Sequence, residues 1–152
     1  QLFDKAASQR DPSHLAAKGQ LNKWRAVCSR RHDQRPAVSV LYTDDKAVRI
    51  LNRDWRGKDK PTNVLSFPAA DGPLPRGEAK PLGDIVLAYG VVVREAKAQN
   101  KALKSHVAHL LVHGALHLLG YDHEDEPEAL AMERREARIL ARLGIANPYH
   151  EQ

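Results

Sequence analysis

The sequence predicts an α+β fold: a small mixed β-sheet of about three to four strands, covered by about five helices, in a single domain over residues 1–152. Three observations carry that expectation. The chain has 152 residues, the length of one ordinary domain, and a domain of that size buries roughly two-thirds of its unfolded surface without a crosslink. Apolar runs of strand character are few and short. Segments with helical spacing are more numerous and longer, and a sheet among so many helices is stable when they cover it.

Residues 1–12 match no pattern, and because the chain begins at Gln1 a disordered or truncated start is expected there. Residues 13–31 predict a first helix, with Leu15, Leu21, Trp24 and Val27 or Cys28 on one stripe and Ser13 as a candidate N-cap. Beyond Pro36, residues 37–42 alternate and are rich in β-branched side chains, which predicts a strand. Asp44 or Asp45 can then cap a helix running to about Trp55. Residues 64–67 and 84–88 are the next strand candidates. Residues 68–83 between them carry four prolines and three glycines and read as a long loop. Helices are expected over residues 89–99 and 104–119, the second stopped by Gly120. A last one over residues 127–143 has Pro127 in its first turn and Gly144 just past its end.

Charge is uneven along the chain. Residues 1–63 hold 14 basic and 7 acidic side chains, residues 64–104 hold 6 and 4, and residues 105–152 hold 4 and 8. The positive first half is compatible with a polyanionic partner such as nucleic acid, although a mixed surface with no partner has the same composition. The one cysteine, Cys28, has no internal partner, which favours a reducing, cytoplasmic setting. No apolar run approaches the ~20 residues of a membrane span, so a membrane partner is not expected.

The chemistry concentrates in residues 113–123. On a helix, His113 and His117 stand one above the other with a rise of about 6 Å, so both can face one ion. A tetrahedral zinc with Zn–N bonds of ~2.0–2.1 Å then needs a ligand from another direction. Gly120 lets the chain turn, and His123 can return. Three separate buried partners for three imidazoles beside Leu116, Leu118 and Leu119 would be a harder solution. His109 also lies on the stripe, but about 12 Å along a straight helix from His117, too far for a shared ion. His109 and His106 are therefore expected in packing, surface or outer roles. Three protein ligands leave a fourth position open, the arrangement of catalytic zinc. Zinc peptidases place a glutamate after the first histidine of such a helix; here that residue is Gly114.

The run His113-Gly114-Ala115-Leu116-His117-Leu118-Leu119-Gly120-Tyr121-Asp122-His123 resembles the signature of the YbeY family of bacterial rRNA-maturation endoribonucleases. So do residues 51–56 and 60–68, Leu82-Gly83-Asp84-Ile85 and Asn147-Pro148-Tyr149. The resemblance spans about residues 40–149. It implies a metal-dependent endoribonuclease acting on single-stranded RNA, in maturation of the 16S rRNA 3′ end and in ribosome quality control. One zinc ion on His113, His117 and His123, a catalytic Arg56, and the ribosome or ribosome-associated proteins as partners belong to the same implication. DNA is not expected as a substrate.

Arg56 suits a phosphodiester because its planar fork matches phosphate oxygens. Arg53, Lys58 and Lys60 could follow an RNA backbone, and Trp55 or Phe67 could stack a base, though both residues end apolar segments and fit a core role better. Asp84 and Asp122 could orient a ligand imidazole or could serve turns. Two readings from other classes stand beside the nuclease. One is an RNA- or ribosome-association factor that zinc merely stabilises. The other is a metallohydrolase of a different bond, such as an amide, which the absent glutamate weakens.

Overall fold

Residues 36–77 and 79–149 are described in a computed structural model of the chain. The helix expected over residues 13–31, and the expectation for residues 1–12, lie outside the described residues. The described chain divides into two compact units, one ending at Val91 and the other beginning at Val92.

In the first unit the sheet is organised by its middle strand. β3 (Gly83–Ala88) is buried at all six positions, as its near-continuous apolar run requires of a strand covered on both faces. β1 (Val38–Thr43) pairs with it in parallel, Val38 opposite Gly83 and Thr43 opposite Ala88. β2 (Val64–Pro68) runs antiparallel on its other side, Val64 opposite Leu87. The order β1-β3-β2 puts Pro68 at the end of an edge strand, where a residue without an N–H disrupts the ladder least.

α1 (Asp45–Arg56) starts where Asp44 accepts a 2.7 Å hydrogen bond from the Ala47 N–H, a side-chain N-cap. Val48 and Leu51 join Leu41, Leu65, Val86 and Ala88 in the core, with Trp55, Phe67 and Val91 packed against them. Trp55 and Phe67 meet edge to face at 5.8 Å. Both are partly buried and pack on the core, the role their place in the sequence favours. Each fully buried aliphatic side chain here contributes roughly 1.5–3 kcal/mol. At the far end of α1 the Asn52 side chain donates to the Lys60 carbonyl at 2.7 Å, fastening the turn that follows Arg56.

Asp45 does something the sequence did not announce. Its carboxylate accepts from the Val91 N–H at 3.1 Å, capping the start of α2 (Tyr89–Ala98) from a different helix. Gly90 makes room for it, since a Cβ there would lie 2.8 Å from both Asp45 carboxylate oxygens. α2 ends with Asn100 in the left-handed region (φ 51°), a conformation Asn tolerates better than most residues.

The second unit packs α3 (Leu103–Leu118) against α4 (Glu126–Arg142). α3 begins one residue before the predicted start. α4 begins at Glu126 rather than Pro127 because Asp125 caps it, accepting from the Glu128 N–H at 2.9 Å. Both helices end as their glycines predict. The Gly120 N–H bonds the His117 carbonyl and the Tyr121 N–H the Leu116 carbonyl, with Gly120 at φ 95°; this pair of bonds is a Schellman stop. Gly144 repeats it with Ala141 and Leu140. The described residues thus hold four helices and a three-stranded mixed sheet, and the expected strands and helices that fall on them are found with bounds shifted by a residue or two.

The Asp45–Gly90 contact makes an energetic prediction. Asp45→Ala should cost about 1 kcal/mol, the usual value of a lost cap, and Gly90→Ala should cost a similar amount by displacing the same carboxylate. In the Asp45→Ala background Gly90→Ala should become neutral or stabilising, because alanine is the better helix former by about 1 kcal/mol. Chemical denaturation of the four proteins reads this coupling, and additive losses would contradict it.

Candidate metal centre

α3 carries two neighbouring stripes at four-residue spacing. His106, Leu110 and Gly114 are buried, so the mid-helix glycine lies on the packed face. The adjacent stripe is His109, His113 and His117. The Nε2 atoms of His113 and His117 lie 3.0 Å apart, near the roughly 3.3 Å that two tetrahedral ligands at ~2.0–2.1 Å subtend. After the stop at Gly120 the chain brings back His123, whose ring lies 5.1 Å from that of His117 and 5.8 Å from that of His113.

One nitrogen from each of His113, His117 and His123 falls within 4.8 Å of the other two. Burial first, then the neighbouring His113 and His123, holds the His117 imidazole below the ordinary histidine range. A neutral imidazole is the form that binds metal. Three imidazole nitrogens converging without a carboxylate among them suit a borderline ion such as zinc better than a hard one such as magnesium.

The other two histidines of α3 are committed elsewhere. His106 Nε2 meets Glu95 Oε2 at 2.8 Å. His109 Nε2 lies 3.1 Å from Glu136 Oε2 and 3.1 Å from the Tyr149 hydroxyl. Asp122 accepts from the His123 N–H at 2.7 Å, a turn contact. Asp84 is buried in β3 within the first unit.

Glu136 is the residue that sequence reasoning missed. It sits on the buried face of α4 between Met132 and Leu140, with a side chain 0% exposed. A carboxylate four residues from each of two apolar neighbours on a helix is the signal that could have found it. Its Oε1 lies 2.5 Å from His113 Nδ1, and its Oε2 accepts from the Tyr149 hydroxyl. Burial would push the Glu136 carboxyl up, but hydrogen bonds from His109, His113 and Tyr149 outweigh it and hold it at about 2. Burial, the Glu136 hydrogen bond and its charge push the Tyr149 phenol well above its usual range.

Arg56 belongs to the first unit and closes α1. Its neighbours are occupied, Arg49 with Asp59 and Arg53 with Asp54. Arg56 is exposed and pairs with no carboxylate among the described residues. Lys58 and Lys60 beside it are exposed too.

Comparison with known proteins agrees with the motifs. A family model described as Endoribonuclease YbeY matches residues 7–144. A relative named endoribonuclease YbeY from Azorhizobium caulinodans is 57% identical over 113 residues, covering 74% of this chain and 70% of its own. One of the same name from Halorhodospira halophila is 52% identical over 130 residues, covering 85% and 84%. A solution structure of a Thermotoga maritima protein aligns with a TM-score of 0.46 and 20% identity, covering 94% of this chain and 96% of that one.

The cluster predicts a specific order of metal loss. His113→Ala, His117→Ala and His123→Ala should each weaken zinc binding beyond the roughly 10–100-fold that loss of an outer partner costs, while His109→Ala should keep full occupancy at saturating zinc. Metal analysis after dialysis checks this. Loss of zinc in His109→Ala with retention in His123→Ala would reverse the ligand assignment.

Proposed function

The chain belongs to the endoribonuclease YbeY family, and from that premise we propose that it is a zinc-dependent endoribonuclease. Its proposed substrate is single-stranded RNA, cleaved in maturation of the 16S rRNA 3′ end and in ribosome quality control. On this reading it acts in the cytoplasm as one metallohydrolase domain, with the ribosome or its associated proteins as partners. The observation that carries the reading is the convergence of His113, His117 and His123 within 4.8 Å.

These three imidazoles would hold the ion, and no fourth protein ligand joins them among the described residues. Zinc in such a donor set supplies, when bound, Lewis-acid polarisation and activation of water. The protein's own work is to present three imidazole nitrogens and to meet the charge that develops on the phosphodiester. Arg56 is the proposed group for that second task. Its guanidinium offers a fixed fork of donors and, among the described residues, pairs with no carboxylate, which suits it to phosphate oxygens. Lys58 and Lys60 add exposed positive charge beside it, suited to an RNA backbone. Gly114 has no side chain to move a proton, so the peptidase route lacks its base and amide hydrolysis is disfavoured.

The test is cleavage of a labelled single-stranded RNA beside the same sequence as a duplex. Zinc-loaded protein should cut the single strand, and both chelator-treated protein and His117→Ala should not. Equal cleavage by His117→Ala would assign the activity to a contaminant. Zinc binding without any cleavage would leave a metal-stabilised RNA-association factor as the better reading. Arg56→Ala should retain zinc and lose about 10²–10³ in kcat, the scale of one charge-stabilising donor; full turnover in that variant would remove Arg56 from the mechanism.

A further inference from the structure

We propose that Glu136 is the positioning residue of the histidine cluster, gripping His113 through Nδ1 so that its Nε2 is the atom turned to the shared site. The inference rests on the metal reading above and concerns a residue that reading does not use.

The geometry is specific. An ionised carboxylate only accepts hydrogen bonds, so at 2.5 Å from Glu136 Oε1 His113 Nδ1 must carry the proton. A neutral ring protonated at Nδ1 has its lone pair at Nε2, and that nitrogen faces His117 Nε2 at 3.0 Å. One contact therefore sets both the tautomer and the direction of the ligand atom, which is how a carboxylate tunes a metal-bound imidazole.

Glu136 is itself fixed. Its other oxygen accepts from the Tyr149 hydroxyl and from His109 Nε2 at 3.1 Å. The ring of Tyr149 packs edge-on to that of His109 with centroids 5.5 Å apart. A carboxylate buried on an apolar helix face is costly to keep unless every oxygen is satisfied, and here three donors converge on it, two from α3 and one from the segment after α4. The same contacts account for His109, which lies on the ligand stripe without being a ligand. They also give Tyr149, near the end of the described chain, a task inside the unit.

The experiment compares the protein with Glu136→Gln and Tyr149→Phe, with thermal unfolding to establish that each is folded. Long-range ¹H–¹⁵N correlation of the metal-free proteins reads the His113 tautomer directly. Chelator competition reads zinc affinity. The unsubstituted protein should show His113 protonated at Nδ1. Glu136→Gln should lose that preference and bind zinc roughly 10–100-fold more weakly, and Tyr149→Phe should fall between the two.

A merely structural Glu136 would lower the melting temperature and leave tautomer and affinity unchanged in the folded variant; that result, or Nε2 protonation of His113 in the unsubstituted protein, overturns the proposal. The tautomer is measured without metal. Nδ1 protonation that depends on Glu136, in a protein that takes up no zinc, would refute the metal reading and uphold the grip on His113.

Discussion

Two imidazoles on consecutive turns of α3 can share an ion, but no third residue of the same straight helix can join them, and the second unit is arranged around that limit. Rise per residue sets it: the next histidine on the stripe is a further turn away, beyond the span of bonds near 2 Å. The helix has to stop just past His117. Gly120 at φ 95° and the bonds from Gly120 and Tyr121 to the carbonyls of His117 and Leu116 bring about the stop. Only three residues beyond Gly120, His123 is back beside the first two rings. The backbone of the stop and the histidine cluster are therefore one feature, because the carbonyl of His117 is part of the turn while its ring is part of the cluster.

The same unit places a negative charge behind the cluster. A buried glutamate on the packed face of α4 would ordinarily be among the most destabilising features of a small domain, and removing one partner of a buried charge typically costs about 3–5 kcal/mol. Here the charge receives donors from α3 and from the segment after α4. Packing of the two helices and orientation of a histidine are thus carried by one set of atoms. In the first unit the Asn52 bond to Lys60 fastens the turn after α1, and Arg56 at the end of that helix is exposed.

What could be read in advance divides by the range of the interaction. Helix ends were legible because their chemistry is local: Asp44 caps its own helix, and Gly120 and Gly144 stop theirs. The strands were legible as β-branched runs, with bounds that only pairing to β3 could settle. The convergence of three histidines followed from spacing and one glycine. Residues whose partners are remote in sequence were not legible. Asp45 reads as a cap for α1 but serves α2, and the absence of a side chain at Gly90 is what leaves room for it. His109 could be excluded as a ligand by helix geometry, yet its partner lies 27 residues away. Glu136 was hidden in plain composition, one acidic residue among many in α4, and only its burial sets it apart.

X-ray absorption at the zinc edge of the metal-loaded protein tests the central claim most directly. Three imidazole nitrogens at ~2.0–2.1 Å, with the multiple-scattering pattern of histidine rings and one further light ligand, are the predicted first coordination shell. A shell of oxygens without imidazole scattering, or one with a single histidine, would contradict the account.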